Sequence, residues 1–156
     1  MGCANSTLRV DPDGVNGGID FKPIHSAVRW NNSYDEVTAV LQTTEAVNSR
    51  DTGNGNRPIH IAAQNGHTDL LKLLIDREAI LDAKNMKGNT ALHMAVEYDY
   101  YESCTLLLAA GADPKVLNDD GFEALKGIEG EKSIAVVQLL SAKITEDATA
   151  ALTQCL

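Results

Sequence analysis

A seven-residue pattern recurs four times along this 156-residue chain, at successive steps of 35, 33 and 33 residues. Its copies read KPIHSAV (22–28), RPIHIAA (57–63), TALHMAV (90–96) and EALKGIE (123–129). The fourth positions are His25, His60, His93 and Lys126. A fixed period of this size indicates a fold built by stacking one supersecondary unit on the next. Because a single short unit cannot bury its apolar face, each copy needs neighbours.

Other positions keep the same register. Five residues before the fourth position stand Gly55, Gly88 and Gly121, and fourteen residues after it stand Leu74, Leu107 and Leu140. The glycines follow polar residues and suit a turn with positive φ. Pro23 and Pro58 suit a first helical position, where the missing N–H has no helical partner. In HTDLLKLLID the leucines form one broad apolar stripe at helical spacing. Each copy is therefore predicted to be a helix, a turn and a second helix.

The period and the motif resemble the ankyrin repeat, whose T-P-L-H signature reads here as KPIH, RPIH, TALH and, more weakly, EALK. The segments NGHTDLLKLL (65–74) and AAGAD (109–113) also match the family pattern. The resemblance covers about residues 18–142. It implies an all-α solenoid of about four helix–turn–helix repeats with hairpin tips, which binds partners on its concave side. A C-terminal capping helix is a further expectation.

The domain prediction follows the repeats. Residues 1–17, rich in Gly, Asp and Asn, are expected to form a flexible arm before an ankyrin-repeat domain at 18–156. The predicted repeats are 18–50, 51–84, 85–117 and 118–142, followed by a terminal cap at 143–156. The fourth copy is expected to act as a cap because Gly127 and Gly130 weaken its first helix.

Some residues depart from the family pattern. The family threonine survives only as Thr90, and Lys22, Arg57 and Glu123 replace it. Glu45 and Glu78 stand where Gly111 ends the second helix of the third copy. A left-handed glutamate costs about 1–2 kcal/mol. Looser turns are therefore predicted after the first two helix pairs.

The histidines His25, His60 and His93 have two interpretations. As structural anchors, each bonds the backbone of a neighbouring turn and links adjacent repeats. As metal ligands they would have to converge, but stacked helices lie about 8–10 Å apart, while zinc needs ligand nitrogens at about 2.0–2.1 Å. The structural interpretation is favoured, and no metal site is predicted.

No sequence pattern supports a catalytic function. Cys104 falls on the apolar stripe CTLLL, which predicts a buried, inert thiol, and Cys155 has no base near it in sequence. The sequence holds no phosphate-cradling glycine loop, nucleophile elbow or paired-ligand spacing. The prediction is a non-enzyme without cofactors, and an enzyme remains the distant alternative.

Charge and composition limit the classes of partner and the cellular location that are expected for the protein. A formal net charge of -9 disfavours nucleic-acid binding, which needs clustered Lys and Arg. No apolar run approaches the roughly 18–20 residues of a membrane helix. Three scattered cysteines and the absence of a secretory signal pattern predict a reduced, cytoplasmic protein. The protein is expected to be a monomer apart from its partner.

The predicted protein-binding surface follows from the resemblance. Exposed concave positions lie one, four and five residues after each anchor and at the turn tips. They include Trp30, Ile61, Gln64, Met86, Met94, Glu97, Tyr98 and Phe122, together with Ser26, Arg29, Asn56, Asn65 and Asn89. Trp30, Met94 and Tyr98 are predicted to line one groove, because aromatic residues and Met are enriched in interface cores. Alternatively, they fill gaps between repeats.

The first six residues, MGCANS, resemble the start of dually acylated proteins. Removal of Met1 would expose Gly2, with Ser6 at the position preferred for N-myristoylation and Cys3 available for palmitoylation. A single myristoyl chain binds membrane only marginally, at about 10⁴ M⁻¹. The expectation is a module held at the cytoplasmic face of a membrane. The alternative is a freely soluble cytosolic adaptor or enzyme inhibitor.

Overall fold

The computed structural model describes residues 25, 28–29, 37–39 and 41–130. Its α-helices are α1 (Thr44–Val47), α2 (Pro58–Gln64), α3 (Thr68–Asp76), α4 (Ala91–Glu97) and α5 (Tyr101–Ala109), followed by a 3-10 helix (Ala124–Lys126). Between 41 and 130, the only extended pairing is the isolated bridge between Leu117 and Glu123. The predicted all-α repeat solenoid is confirmed.

The start of each inner helix, α2 or α4, reflects its own sequence. Thr90 caps α4 because its hydroxyl accepts the N–H of His93, three residues on. Arg57 stands at the equivalent place before α2, and Pro58 occupies the first helical position. A guanidinium has only donors, so Arg57 cannot accept a helix N–H. Its side chain donates instead to the carbonyl of Asn48.

Each helix end in the two central pairs has the same closure. Helices α2, α3, α4 and α5 are followed by left-handed residues, which are Gly66, Glu78, Asp99 and Gly111. After α3, Ala79 N–H donates to Leu74 O at 3.0 Å and Glu78 N–H to Ile75 O at 3.0 Å. This pair of bonds is the Schellman motif.

The prediction of a looser turn after the second helix pair is wrong. Glu78 has φ 62° and keeps the tight closure that Gly111 provides after α5. The buried residues on both sides of the turn hold the chain in place, so Glu78 takes the strained conformation. Glu45 lies inside α1 with helical backbone, because the first pair's last helix ends only at Val47.

The helix pairs stack in two layers. The inner helices α2 and α4 pack on each other, the outer helices α3 and α5 do the same, and α4 also packs on the 3-10 helix. One apolar core of buried side chains runs through the described stack from Val28 to Ala124. Leu70, Leu71, Leu73 and Leu74 form the buried face of α3. A core of small aliphatic groups matches the aromatic content of 4%.

The inner segment of the fourth copy is shorter than the inner helices α2 and α4. It forms a single 3-10 turn that ends at Gly127, whose φ is 74°. The predicted arm at 1–17, the terminal cap at 143–156 and the second helix of the fourth copy lie outside the described residues. No described helix has the length and apolar character needed to cross a membrane.

Candidate functional site

The three anchor histidines face backbone groups. His60 Nδ1 accepts the N–H of Arg57 at 3.1 Å, so the proton is on Nε2, which donates to Asn89 O at 3.0 Å. His93 repeats the arrangement: its Nδ1 accepts the N–H of Thr90 at 3.2 Å and its Nε2 donates to Phe122 O at 3.1 Å. His25 Nε2 lies 3.3 Å from Ser49 O. The rings of His60 and His93 therefore each join the start of their own helix to the turn of the next repeat.

These bonds leave His60 and His93 without a lone pair for a metal ion. In the described part of the chain, no group of three or more His, Cys, Asp or Glu side chains is placed to hold one. Burial lowers the pKa of His60 to about 4, and it also lowers the pKa of His93. Both rings are therefore neutral at physiological pH, as their role as Nδ1 acceptors requires.

Four buried asparagines form a second connection between turns. Asn85 Nδ2 donates to Asn56 Oδ1 at 2.9 Å, and Asn118 Nδ2 donates to Asn89 Oδ1 at 2.9 Å. Asn85 Oδ1 also accepts the N–H groups of Lys87 and Asn89. We call these four residues the asparagine ladder. Asn56 and Asn89 were expected at exposed tips, and that expectation is wrong because their side chains bond the adjacent turns.

The turns also approach each other closely. Met86 N–H donates to Asn54 O at 3.0 Å, and Asp119 N–H donates to Lys87 O at 3.2 Å. A Cβ added to Gly88 would lie 2.6 Å from the backbone nitrogen of Asp119. Since Gly88 also has φ +72°, only glycine fits this contact.

A depression of about 320 Å³ opens beside the ladder, on the side of the stack formed by the inner helices and the turn tips. We call it the inner depression. Its lining residues are Gly53, Asn54, Asn56, Gln64, Asn85, Met86, Lys87, Asn89, Met94, Tyr98 and Ile128. Met86 is 54% exposed and Tyr98 is 47% exposed, although both are large apolar groups. Gln64 Nε2 donates to the Tyr98 hydroxyl at 3.2 Å, which joins neighbouring repeats across the depression.

Six of the predicted surface residues line the inner depression, and they are Asn56, Gln64, Met86, Asn89, Met94 and Tyr98. Met94 is only 6% exposed, so it lies against the core and presents little surface. Glu97 is half-buried, and its Oε2 accepts the N–H of Ile128 at 2.9 Å. Phe122 is also half-buried and stands close to Gly130.

Ile61 does not belong to the exposed surface. Its side chain is fully buried in the continuous core, so its predicted placement on the concave face is wrong. The position after the anchor points into the interface between stacked repeats, where an apolar side chain gains burial. Trp30, Gly2 and Cys3 lie outside the described residues.

Sequence reasoning missed the asparagine ladder, although its signal was present. Asn56 and Asn89 are 33 residues apart, as are Asn85 and Asn118, which is the period of the repeat. Asparagine is also common in solvated turns, so the period alone did not reveal that these amides are buried.

Cys104 is buried within the core. Burial raises the pKa of its thiol to about 12. Since the thiolate is the nucleophile, this side chain is unreactive in the folded state.

Stacked helix pairs, repeated backbone-directed histidines and a recurring glycine turn define a helical repeat protein, a class that presents extended surfaces to partners. The model of the family described as "Ankyrin repeats (3 copies)" matches residues 22–118. The chain belongs to the ankyrin repeat family.

Three relatives illustrate the similarity. The chain is 36% identical over 92 residues to a transient receptor potential cation channel subfamily A member 1 homolog of Caenorhabditis elegans. This match covers 58% of the chain and 8% of the relative. It is 32% identical over 91 residues to human NF-kappa-B inhibitor zeta, covering 54% of the chain and 13% of the relative. It is also 40% identical over 96 residues to protein fem-1 homolog C of Bos taurus, and this match covers 54% of the chain and 15% of the relative. The chain therefore spans only a small part of each relative's length.

Proposed function

We propose that this protein is a non-catalytic interaction module whose inner depression receives a segment of a protein partner. The observation that carries the proposal is the pair of Met86 and Tyr98, two large side chains left about half exposed in one depression. Aromatic residues and Met are enriched where interfaces are buried. The asparagine ladder and the anchor histidines hold the surrounding turns, which lowers the entropy lost on binding.

A catalytic role has less support. Among the described residues, the thiol of Cys104 is buried with a pKa of about 12, and the rings of His60 and His93 are engaged with backbone groups. The named activities of the relatives belong to proteins several times longer than the matched region. The partner's identity therefore does not follow from them.

The test compares two exposed apolar side chains of similar accessibility. Met86 is 54% exposed and lines the inner depression, whereas Ile80 is 51% exposed and does not. Affinity purification from the native cells would use wild type, Met86→Ala with Tyr98→Ala, and the control Ile80→Ala. The double variant is expected to lose the specific partner while its melting temperature changes little, and the control is expected to retain the partner.

Met94 is unsuitable for that test. Because it is 6% exposed and packs in the core, Met94→Ala should destabilise the fold by about 2–5 kcal/mol. Retention of the same partners by the Met86 and Tyr98 double variant would contradict the proposed site.

We also propose that the chain is tethered to a membrane through acylation of Gly2 and Cys3. The supporting observation is the sequence MGCANS. Residues 1–20 contain Arg9 against three aspartates, so an anionic lipid surface would not attract this segment. Stable anchoring should therefore require the second acyl chain on Cys3.

The tether is tested by expression with labelled myristate followed by membrane fractionation of wild type, Gly2→Ala and Cys3→Ser. Peptide mapping of the N-terminus determines whether Met1 is the initiator residue in the cell. Cys3→Ser is expected to take up myristate and to shift to the soluble fraction. A wild-type protein that has this N-terminus, takes up no label and stays soluble would instead support the freely soluble adaptor or inhibitor.

A further inference from the structure

We propose that the inner depression selects an extended acidic segment, in which an apolar side chain is flanked by Asp or Glu. This inference rests on the proposed interaction function and adds the chemistry of the partner. Three features carry it: the charge of the lining, two amide groups without acceptors, and the apolar surface between them.

The charge of the lining is opposite to the charge of the chain. Asp and Glu total 22 and Lys and Arg total 13, but the lining contains no carboxylate and its one charged side chain is Lys87. Lys87 is exposed, so its ammonium can meet a partner without first leaving a buried site. The lining therefore complements a carboxylate and opposes a Lys or Arg side chain.

The amide orientations in the asparagine ladder are fixed by backbone groups. Asn85 Oδ1 accepts the N–H of Lys87 at 2.9 Å and that of Asn89 at 3.0 Å, so the other end of the amide must be Nδ2. Because this Nδ2 donates to Asn56, the atom that it meets on Asn56 must be Oδ1. The Nδ2 group of Asn56 is therefore turned away from the ladder.

Backbone hydrogen bonds fix the orientation of the Asn89 side-chain amide in the same way. Asn118 Oδ1 accepts the N–H of Phe122 at 2.9 Å, so Asn118 Nδ2 is the donor to Asn89 Oδ1. Within residues 41–130, the Nδ2 groups of Asn56 and Asn89 donate to no acceptor. Both residues line the depression, and they are only 4% and 1% exposed.

These two amides explain why an acceptor-bearing ligand is favoured. Among the described residues, the fully buried polar atoms without a partner do not include either Nδ2, so both amides remain accessible from the depression, and a carboxylate or a peptide carbonyl can replace water as their acceptor. Carboxylates form shorter and stronger bonds than neutral acceptors. A cationic side chain offers only donors, so it cannot accept a hydrogen bond from either amide.

The apolar lining and the small volume of the depression explain why the proposed partner segment carries an apolar side chain and is extended. Met86, Met94, Tyr98 and Ile128 provide the apolar part of the lining. A volume of about 320 Å³ is at the lower end of the range of roughly 300–1,000 Å³ for small-ligand sites. One or two side chains fit such a space, whereas a whole helix does not.

The net charge of -9 of the chain repels an acidic segment at long range. The carboxylates of Asp51 and Glu97 accept backbone N–H groups of the lining residues Asn54 and Ile128, so their charges act at short range. Carboxylates farther away than the Debye length of about 8 Å at physiological ionic strength are largely screened. A contact with Lys87 at hydrogen-bond distance is screened much less. The local contacts therefore decide the preference once the segment has docked.

The experiment uses the full chain and three matched pools of acetylated and amidated eight-residue peptides. Each pool has Leu, Ile, Met or Phe at the centre, and the flanking positions are Asp/Glu, Asn/Gln or Lys/Arg. Affinity is measured by fluorescence anisotropy. The side-chain amide signals of Asn56 and Asn89 are followed in ¹⁵N-correlated NMR spectra. The acidic pool is expected to bind about tenfold more tightly than the neutral pool and to shift both signals.

Charge variants make the test specific. Lys87→Gln should weaken binding of the acidic pool about tenfold, and Lys87→Glu should shift the preference toward the basic pool. Lys72→Gln on outer helix α3 is the control, because Lys72 does not line the depression. It should bind like the wild type.

Failure of this inference can be separated from failure of the proposed function. Equal or tighter binding of the neutral or basic pool, lost in Tyr98→Ala, would reject the acidic preference and retain the binding site. Absence of binding by all three pools at millimolar concentration would reject the selectivity. If partner capture also persisted in the Met86 and Tyr98 double variant, the proposed site would be rejected as well.

Discussion

His60 shows how a single residue makes the stack sensitive to pH. Its ring is buried, Nδ1 accepts the N–H of Arg57 and Nε2 donates to Asn89 O. Protonation would place a second N–H opposite the Arg57 donor. Burial is the main reason why the pKa falls to about 4, and the backbone acceptors act in the opposite direction. Folding therefore selects the neutral ring.

The predicted consequence is a loss of stability in acid. Below pH 6.5 the unfolded chain protonates His60, whereas the folded chain resists protonation down to about pH 4. Stability is thus fully present above pH 6.5 and falls as the pH drops toward 4. The loss from this residue amounts to about 3 kcal/mol between pH 7 and 4. His93 contributes in the same direction.

Urea unfolding at pH 7, 5.5 and 4.5 measures this effect. His60→Gln lacks the titrating group and should lose less stability over the range, while its carboxylates titrate as in the wild type. Parallel pH profiles for the two proteins would contradict the assignment. An NMR titration of the His60 ring provides a check that does not depend on the stability of the variant.

Glu78 carries a residue-scale strain that glycine would remove. Its φ of 62° is left-handed, and the turn after α3 is closed like the glycine turn after α5. Glu78→Gly should raise the free energy of unfolding by about 1 kcal/mol, because relief of the strain exceeds the added chain entropy. Glu78→Ala retains a Cβ and should show no such gain. A denaturation midpoint that is unchanged or lower in Glu78→Gly would contradict the strain.

At the scale of elements, the sequence predicted the parts whose cause is local. Pro58 at the start of α2, the leucine stripe of α3 and the positive-φ glycines are visible in neighbouring residues alone. The Schellman turn at Glu78 was not predicted, because the core on both sides of the turn overrides the intrinsic cost of a left-handed glutamate.

The candidate site was predicted only in part, for a physical reason. Gln64, Met86 and Tyr98, which the family resemblance placed on the concave side, line the same depression. Ile61 and the asparagines Asn56 and Asn89 are buried instead. Spacing fixes which residues are equivalent, but burial depends on what the next repeat places against them.

The asparagine ladder makes a prediction about the turns as elements. Asn85→Ala removes the acceptor for two backbone N–H groups and the donor to Asn56. It should destabilise the protein by about 2–3 kcal/mol, because buried polar groups would lose their partners. Asn54→Ala is the matched control in the exposed part of the preceding turn, and it should change stability by no more than about 0.5 kcal/mol. Similar chemical denaturation curves for the two variants would show that the ladder does not hold the turns.

For the whole molecule, stability should be highest in the middle of the stack. Helix α4 packs on α2, α5 and the 3-10 helix, so it has neighbours on both sides. The 3-10 helix has only one turn and ends at Gly127. Repeat proteins gain stability from nearest-neighbour interfaces, and one-sided segments open first. Amide exchange should therefore be slowest in α2 and α4 and faster in residues 124–127.

Substitutions of two leucines distinguish a stack that is most stable at its centre from a stack that unfolds as one cooperative unit. Leu92 is 1% exposed in α4, so Leu92→Ala should cost about 2–5 kcal/mol and speed exchange throughout the stack. Leu125 lies half-buried in the 3-10 helix, and Leu125→Ala should cost about 1 kcal/mol and speed exchange mainly in residues 124–127. Hydrogen exchange read by NMR measures both patterns. Slowest exchange in the 3-10 helix, or acceleration of α2 by Leu125→Ala equal to that by Leu92→Ala, would contradict a stack stabilised from its centre.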